Sequence, residues 1–356
     1  MTFRIGPHEI GTGRCFVVAE AGVNHNGNAG TALLLIRAAK AAGADAVKFQ
    51  RRTPRAILTE DAYDRSYEGP NSYGITYGAH REALELSDTA WRSVMETAAR
   101  LEIPCFASAW DEASADALIK LGVPALKVAS ADLTNTPLID HMARMGVPLI
   151  VSTGMSTLAE VDDAYAVICA TGCDQFALLH CVSTYPAEPE MVNLRVMETL
   201  RQRYPGVPIG YSGHETGLAV SVAAAALGAA IIERHLTLNR AAKGPDHAAS
   251  LEPDGLRRLV RDIRNVEAAL GDGRKRLLDS ERPVRARLAK SLVVAHDRPV
   301  GHVLDATDFI AKSPGFSIAP RYRSILIGLP LVRDVIAGRP LQWADVAWSG
   351  FTRSEE

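Results

Sequence analysis

Two histidines close two successive apolar runs, Pro208-Ile-Gly-Tyr-Ser-Gly-His214 and Ala230-Ile-Ile-Glu-Arg-His235. The alanine-rich stretch between them, Ala219 to Ala229, reads as one helix. A buried strand, a helix and a second buried strand make the repeating unit of a parallel α/β sheet. Both strands of such a unit end on the same side, so the two imidazoles can face one cavity.

Six further short apolar runs precede this pair: Cys15–Ala21, Ala46–Phe49, Pro104–Ser108, Ala125–Ser130, Pro148–Ser152 and Phe176–Val182. Helix-period segments separate them, among them Ala29–Ala42, Thr89–Leu101, Glu112–Leu121, Leu158–Ala170 and Leu194–Tyr204. Eight strand–helix units within about 250 residues fit a (β/α)8 TIM barrel. A doubly wound open sheet is the competing architecture, but no GxGxxG follows the first strand. The connection after the second strand, Arg51 to Ser87, is long and carries four tyrosines (Tyr63, Tyr67, Tyr73 and Tyr77). Loops of that size usually bind or cover something.

The expected domains are a barrel over 1–270, a linker over 271–290 and a small β-rich domain over 291–350. The linker opens on Gly271-Asp-Gly-Arg-Lys-Arg276. After it come Leu292–Ala295, Val303-Leu304, Phe309-Ile310, Ile325–Ile327 and Leu331-Val332, broken by glycines. A unit of about 60 residues buries little area alone and needs a partner surface.

Composition narrows the function classes. Of 356 residues 47% are hydrophobic and 22% charged, as in soluble globular proteins. A formal net charge of -2 gives no reason to expect nucleic acid or an anionic membrane as partner. The N-terminal residues Met1–Gly13 lack an apolar signal core, and no run approaches a membrane span. Five cysteines without a CxxC pair suit free thiols in a reducing cytoplasm.

In such a barrel the side chains at the C-terminal strand ends line the active site. In chain order these are Glu20; Lys48 and Gln50; Ser108; Lys127, Ser130 and Asp132; Ser152; Ser183 and Tyr185; Ser212 and His214; Glu233 and His235, with Asp246 downstream. A lone serine at a strand end is ordinarily a turn residue, and a lone histidine a hydrogen-bonded rim residue. A lysine inside an apolar strand is different, because a buried unpaired charge is costly. Lys48 and Lys127 either form internal ion pairs, with Glu20 and Asp132 as candidate partners, or bind an anion. Two ammonium groups with the hydroxyls of Ser130, Ser152 and Ser212 suit a small phosphorylated carboxylate. The histidine pair suits a divalent metal with open positions. Together they point to bond formation between a phosphorylated donor and a carbonyl. A metal-dependent hydrolase would carry HxH on its first strand, and Asn24-His25-Asn26 does not supply it.

Several stretches resemble the sialic acid synthase (N-acetylneuraminate synthase) family. They are Ala19-Glu-Ala-Gly-Val-Asn-His-Asn-Gly27, Val47-Lys-Phe-Gln50, Lys127-Val-Ala-Ser130, Ser152-Thr-Gly-Met155, His180-Cys-Val-Ser-Thr-Tyr-Pro186, Gly210-Tyr-Ser-Gly-His-Glu-Thr-Gly217, Glu233-Arg-His-Leu-Thr237 and Gly244-Pro-Asp-His247. The end of the chain, with Lys290-Ser-Leu-Val-Val-Ala295 and Lys312-Ser-Pro-Gly315, resembles that family's antifreeze-like SAF (β-clip) domain. The resemblance implies condensation of phosphoenolpyruvate with an N-acetylmannosamine-type sugar. It implies His214 and His235 as ligands of Mn²⁺ or Mg²⁺. Lys48, Lys127, Ser130, Ser152, Ser183 and Ser212 would hold phosphoenolpyruvate. Gln50, Asn71, Asp132, Tyr185 and Asp246 would lie around the sugar, and Glu20 and Glu233 would manage protons. It also implies a homodimer in which the small domain crosses to the partner subunit.

Some positions depart from the bacterial pattern of that family: Ala109 for Thr, Asp132 for Glu, Ser183 for Asn, and Ser313 for an Arg that touches the acceptor's N-acetyl group. The stretch Asn71-Ser-Tyr-Gly-Ile-Thr-Tyr-Gly-Ala-His-Arg81 is more similar to the animal-type enzymes, which take the 6-phosphorylated sugar. His80, Arg81 and Lys243 are the candidate charges for such a phosphate. Synthases of legionaminic, pseudaminic or non-acetylated (KDN-type) acids are the alternative reading.

Overall fold

A computed structural model describes residues 1–349. Two compact units divide the described chain, one over 1–271 and one from 272 onward. In the first unit a short antiparallel hairpin, β1 (Phe3–Ile5) and β2 (His8–Ile10), precedes eight parallel strands. These are β3 (Phe16–Gly22), β4 (Ala46–Arg51), β5 (Cys105–Ala109), β6 (Leu126–Val128), β7 (Leu149–Ser152), β8 (Phe176–Cys181), β9 (Ile209–Gly213) and β10 (Ile231–His235). They close into a barrel in chain order, with β10 beside β3. The expected TIM barrel is therefore the observed fold.

The strands are buried on both faces, which is why their sequences read as continuous apolar runs rather than alternating ones. The hairpin lies under the N-terminal ends: a Cβ on Gly6 would meet Pro104 and one on Gly11 would approach Pro208, residues that precede β5 and β9. Its Phe3, Ile5 and Ile10 join the barrel core. The helix Pro253–Leu270 ties the same end through Arg264, which bonds Cys15 O at 2.7 Å and also pairs with Asp45.

Register places the polar side chains. Neighbouring strand residues in register point to the same side of a sheet. Glu20 is opposite both His235 and Lys48, Glu233 is opposite Ser212, and Ser108 is opposite both Gln50 and Lys127. Polar side chains from six strands thus collect near the C-terminal mouth.

The long connection after β4 is not structureless. It folds into three short helices, Pro54–Ile57, Glu60–Asp64 and Tyr77–Ala83. Gly27 fixes its end against β3: at φ +72° a Cβ there would lie 2.2 Å from Ala83 O.

In the second unit the expected linker holds a helix, Arg282–Leu288, followed by β11 (Ser291–Val294) and β12 (Phe309–Lys312) in antiparallel register. The small domain has fewer strands than its apolar runs suggest. Val303 and Leu331 form only isolated bridges, and Ile325 lies in the helix Arg323–Leu326. Its core is small, built on Leu292, Val294, Leu304, Leu326, Leu331 and Leu341. Buried carboxylates brace it: Asp308 bonds Arg298 and His302 at 2.6 and 2.8 Å, and Asp345 meets Arg333 and Arg339. Gly350, the last residue expected in this domain, lies outside the described residues.

Candidate active site

A cavity of about 310 Å³ opens at the C-terminal mouth of the barrel. Of the sequence-predicted site residues it gathers Glu20, Lys48, Gln50, Lys127, Ser130, Ser152, Ser183, Tyr185, Ser212, His214, Glu233, His235 and Asp246. Two expected members do not line it. Asp132 sits in the 3-10 turn Ser130–Asp132, which turns its carboxyl towards Asn135 and away from the cavity. Asn71 is exposed, and its Oδ1 accepts from Gly244 N at 3.2 Å.

The two lysines have different surroundings. Lys48 Nζ lies 2.7 Å from Glu20 Oε2, 3.6 Å from Glu233 Oε1 and 2.9 Å from Ser108 Oγ. Here the ion-pair alternative holds, and the two carboxylates outweigh burial and keep the Lys48 pKa above its usual range. Lys127 has only neutral hydrogen-bond partners among the described residues, Ser152 Oγ at 2.5 Å and Val128 O at 2.7 Å. The expected partner Asp132 is not one of them. Burial therefore brings the Lys127 pKa down to about 8.

The carboxylates around Lys48 also diverge. Burial pushes Glu20 up to about 7, against the opposing pull of Lys48. Burial acts on Glu233 too, but Lys48, Lys127 and both imidazoles outweigh it and hold that carboxyl below its ordinary range. Two carboxyls with separated proton affinities share one ammonium, an arrangement suited to moving a proton near neutral pH.

His214 and His235 face each other with ring centroids 5.4 Å apart. The Tyr185 ring packs 4.0 Å from His214 and 6.0 Å from His235. His214 Nδ1 lies 2.8 Å from Val182 O, so in the neutral ring that nitrogen carries the proton and Nε2 keeps its lone pair. His235 Nδ1 is buried without a hydrogen-bond partner among the described residues, 4.0 Å from Asp246 Oδ2. Burial holds the His235 pKa down to about 4, so its ring is neutral at pH 7. Against burial, the Cys181 thiol, Val182 O and Glu233 raise the His214 pKa, so that ring must give up its Nε2 proton to join His235 in holding a divalent cation, which would keep most of its coordination positions open. No group of three or more His, Cys, Asp or Glu side chains among the described residues adds a closed site.

Hydroxyls converge on the lysine side. Ser130 Oγ accepts from Gly154 N at 3.2 Å, and Ser212 Oγ donates to Glu233 Oε1 at 3.3 Å. A Cβ at Gly154 would lie 2.3 Å from Ser183 Oγ and 2.7 Å from Ser130 Oγ, so glycine is what lets these two hydroxyls approach. The Cys181 thiol lies 3.8 Å from His214 Nδ1 and lines the cavity. Sequence reasoning passed over it as a strand residue, although its place between His180 and Ser183 put it at a strand end. It also passed over Glu215 and Arg234, each adjacent to one of the paired histidines.

The NeuB family matches residues 35–275 and the SAF domain residues 289–347. The chain is 42% identical to N-acetylneuraminate-9-phosphate synthase of Homo sapiens over 82% of this chain and 80% of that protein. It is 39% identical to N,N'-diacetyllegionaminic acid synthase of Legionella pneumophila over 93% and 94% of the two chains. Among solved structures, the N-acetylneuraminic acid (sialic acid) synthetase of Leptospira borgpetersenii, in complex with citrate, matches with TM-score 0.71 and 31% identity over 80% of this chain and 95% of that one. Fold, site and sequence relatives thus converge, and the chain belongs to the NeuB family of sialic and nonulosonic acid synthases.

Proposed function

We propose that the protein condenses phosphoenolpyruvate with N-acetylmannosamine or its 6-phosphate, releasing inorganic phosphate and N-acetylneuraminate or its 9-phosphate. One observation carries the reading. Lys127, buried and hydrogen-bonded only to neutral groups, shares a cavity with the Lys48 ammonium and the His214–His235 pair. Burying such a charge among neutral groups is costly until an anion balances it.

In this reading Lys127, Lys48 and the serines seat the carboxylate and phosphate of the donor. Carbon 3 of phosphoenolpyruvate attacks the aldehyde carbon of the open-chain acceptor, and the new alkoxide takes a proton. Water then adds at donor carbon 2, and C–O cleavage releases phosphate and leaves the 2-keto acid. Glu20, pushed up towards neutrality and held by Gln50 Nε2 at 2.9 Å, is the better proton carrier of the two glutamates. A divalent cation, Mn²⁺ or Mg²⁺, held by His214 and His235, would polarise the acceptor carbonyl. Holding both reactants in one closed mouth supplies much of the rate.

The protein acts in this reading as a domain-swapped homodimer in the cytoplasm. Supporting the first point, the small unit exposes Phe316 at 66% and Ile336 at 67% over a limited core. Light scattering at micromolar concentration tests it, and a monomer with full activity refutes it. No helix among the described residues is long and apolar enough to cross a membrane.

A second reading, a nonulosonic acid synthase acting on another aldose, has one observation in its favour. Ser313 occupies the position at which the resemblance implies an arginine for the acceptor's N-acetyl group. Its hydroxyl is engaged locally, accepting from Lys290 Nζ at 2.7 Å and donating to Leu288 O at 3.0 Å. Phosphoenolpyruvate, Mn²⁺ and a panel of hexosamines decide between them, with phosphate release and product mass as readouts. Phosphate release with no acceptor in the panel would refute both.

A further inference from the structure

The loop after β3, Asn24-His25-Asn26, has no part in the chemistry proposed above, yet both of its asparagines reach one distant segment. That segment follows β10 and carries Asp246, which lines the cavity with its Oδ2 4.0 Å from His235 Nδ1. Asn24 is buried, and its Nδ2 donates to Leu236 O and to Ser250 Oγ, each at 2.9 Å. Ser250 Oγ donates in turn to Asp246 O at 2.6 Å. Asn26 Nδ2 donates to Lys243 O at 3.0 Å and lies 3.3 Å from His247 Nε2. The segment is thus held both before Asp246 and after it.

His247 completes the second grip. It is buried, and its Nδ1 lies 2.7 Å from Thr237 Oγ1. Thr237 Oγ1 gives its one hydrogen to Asn239 O at 3.1 Å, so it accepts from His247 Nδ1. Lys243 O fixes which end of the Asn26 amide is nitrogen, so His247 Nε2 accepts from Asn26 Nδ2. Only the neutral ring with its proton on Nδ1 satisfies both neighbours. Burial holds the His247 pKa below its usual range, against the opposing effects of Asp246 and Lys243 O. The other groups around the ring, Asn26 from the β3 loop and Thr237 after β10, are neutral, and Tyr73 of the connection after β4 reaches only Lys243 O, at 2.6 Å. The fit is close. A Cβ at Gly244 would lie 2.6 Å from His247 Cδ2 and 3.0 Å from Asn26 Oδ1.

We propose that Asn24, Asn26, His247 and Ser250 are positioning residues that set the Asp246 carboxylate beside His235 and so orient the acceptor without touching it. None of the four lines the cavity. The proposal rests on the condensation reading, which puts Asp246 against the acceptor. A group that orients a reactant must be held closely, and a displacement of about 1 Å costs on the order of 100-fold in rate.

The test uses the full-length protein with phosphoenolpyruvate, Mn²⁺, and N-acetylmannosamine and its 6-phosphate as acceptors. Phosphate release gives the kinetics, and hydrogen exchange over residues 237–250 is followed in parallel. His247→Ala and Ser250→Ala are expected to lower kcat/KM for the acceptor roughly 10- to 100-fold, to leave KM for phosphoenolpyruvate unchanged and to speed exchange in the segment. His247→Gln keeps an acceptor for Asn26 and recovers part of the loss. Asn26→Asp gives a signature that lost packing does not. Its carboxylate meets the Nε2 lone pair near pH 8 and is joined to it by a proton at about pH 6, so its acceptor KM falls several-fold on acidification while that of the parent does not. Ser250→Ala, which loses one hydroxyl, carries the test if His247→Ala does not fold. Equal rises in both Michaelis constants overturn the proposal, as do unchanged kinetics and exchange in Ser250→Ala and Asn26→Asp. A parent that turns over neither sugar refutes the condensation reading instead. The exchange comparison then still decides the positioning role: a segment equally protected in parent and variants rejects it.

Discussion

Arg234 Nη1 donates to Glu215 Oε1 at 2.7 Å, joining the residue after His214 to the residue before His235. Both side chains are fully buried. Arg234 Nη2 also reaches Glu215 O at 2.6 Å, and the carboxylate accepts from Ser221 Oγ at 2.6 Å and Tyr211 OH at 2.8 Å. Successive strand residues point to opposite faces, so this network lies outside the barrel wall while the histidines lie inside. It ties together the two strand ends that carry His214 and His235.

Glu215→Ala leaves the Arg234 guanidinium buried without its partner. The expected cost is about 3–5 kcal/mol of barrel stability. Urea unfolding measures it, and a variant as stable as the parent would show that Arg234 finds other compensation. Glu215→Gln keeps the hydrogen-bonding shape and is expected to fold, with weaker calorimetric binding of Mn²⁺ as the two strand ends loosen.

Lys127 gives opposite pH signs for binding and for stability. Its pKa falls from 10.5 to about 8 on folding. Between about pH 8 and 10.5 the unfolded chain binds more protons at this residue, so the Lys127 contribution to stability rises with pH there; below about 8 the full burial penalty applies. If the ammonium seats the donor as proposed, KM for phosphoenolpyruvate is expected to rise above about pH 8 while KM for the sugar stays flat. Lys127→Ala raises KM for phosphoenolpyruvate by roughly 100-fold at pH 7 and removes this pH dependence. An equal rise for both substrates would count against a donor role.

His235→Ala is expected to abolish turnover and keep the fold. Its Nδ1 is buried without a partner, so the substitution deletes an unsatisfied polar atom as well as packing volume, and the two effects partly offset. Circular dichroism checks the fold, phosphate release the activity, and calorimetry the loss of Mn²⁺ binding. Near-normal activity with Mn²⁺ present would refute the metal assignment.

The barrel and most of the mouth were legible in the sequence because strand period and strand-end position are local properties. The sequence offers Glu20 and Asp132 as candidate partners for the two lysines inside apolar strands, and Glu20 meets Lys48 at 2.7 Å. Asp132, the other candidate, pairs with neither lysine among the described residues. A 3-10 turn begins at Ser130 and rotates the next two side chains, an event no periodicity reveals. The Arg234–Glu215 pair escaped because charge on the outer face of a strand looks solvated until a covering helix, here Ala219–Ala226, is in place. In the small domain, apolar runs such as Ile325–Ile327 fit a strand or a single helical turn equally, and packing chose the turn for Ile325.

Asn71 stood in the sequence as a sugar ligand, and its structural place suggests a different test. Its Oδ1 accepts from Gly244 N at 3.2 Å, and Tyr73 OH donates to Lys243 O at 2.6 Å. Both bonds strap the connection after β4 to the segment that carries Asp246. Tyr73→Phe removes one strap without touching the cavity wall that Asn71 was expected to reach. If the straps hold Asp246 in place, Tyr73→Phe raises the acceptor KM several-fold, leaves the phosphoenolpyruvate KM unchanged, and speeds proteolysis between Arg51 and Ser87. Asn71→Asp keeps the accepting oxygen and is expected to behave like the parent, whereas Asn71→Ala follows Tyr73→Phe. A severe defect in Asn71→Asp with a silent Tyr73→Phe would instead make the Asn71 amide nitrogen a direct sugar contact.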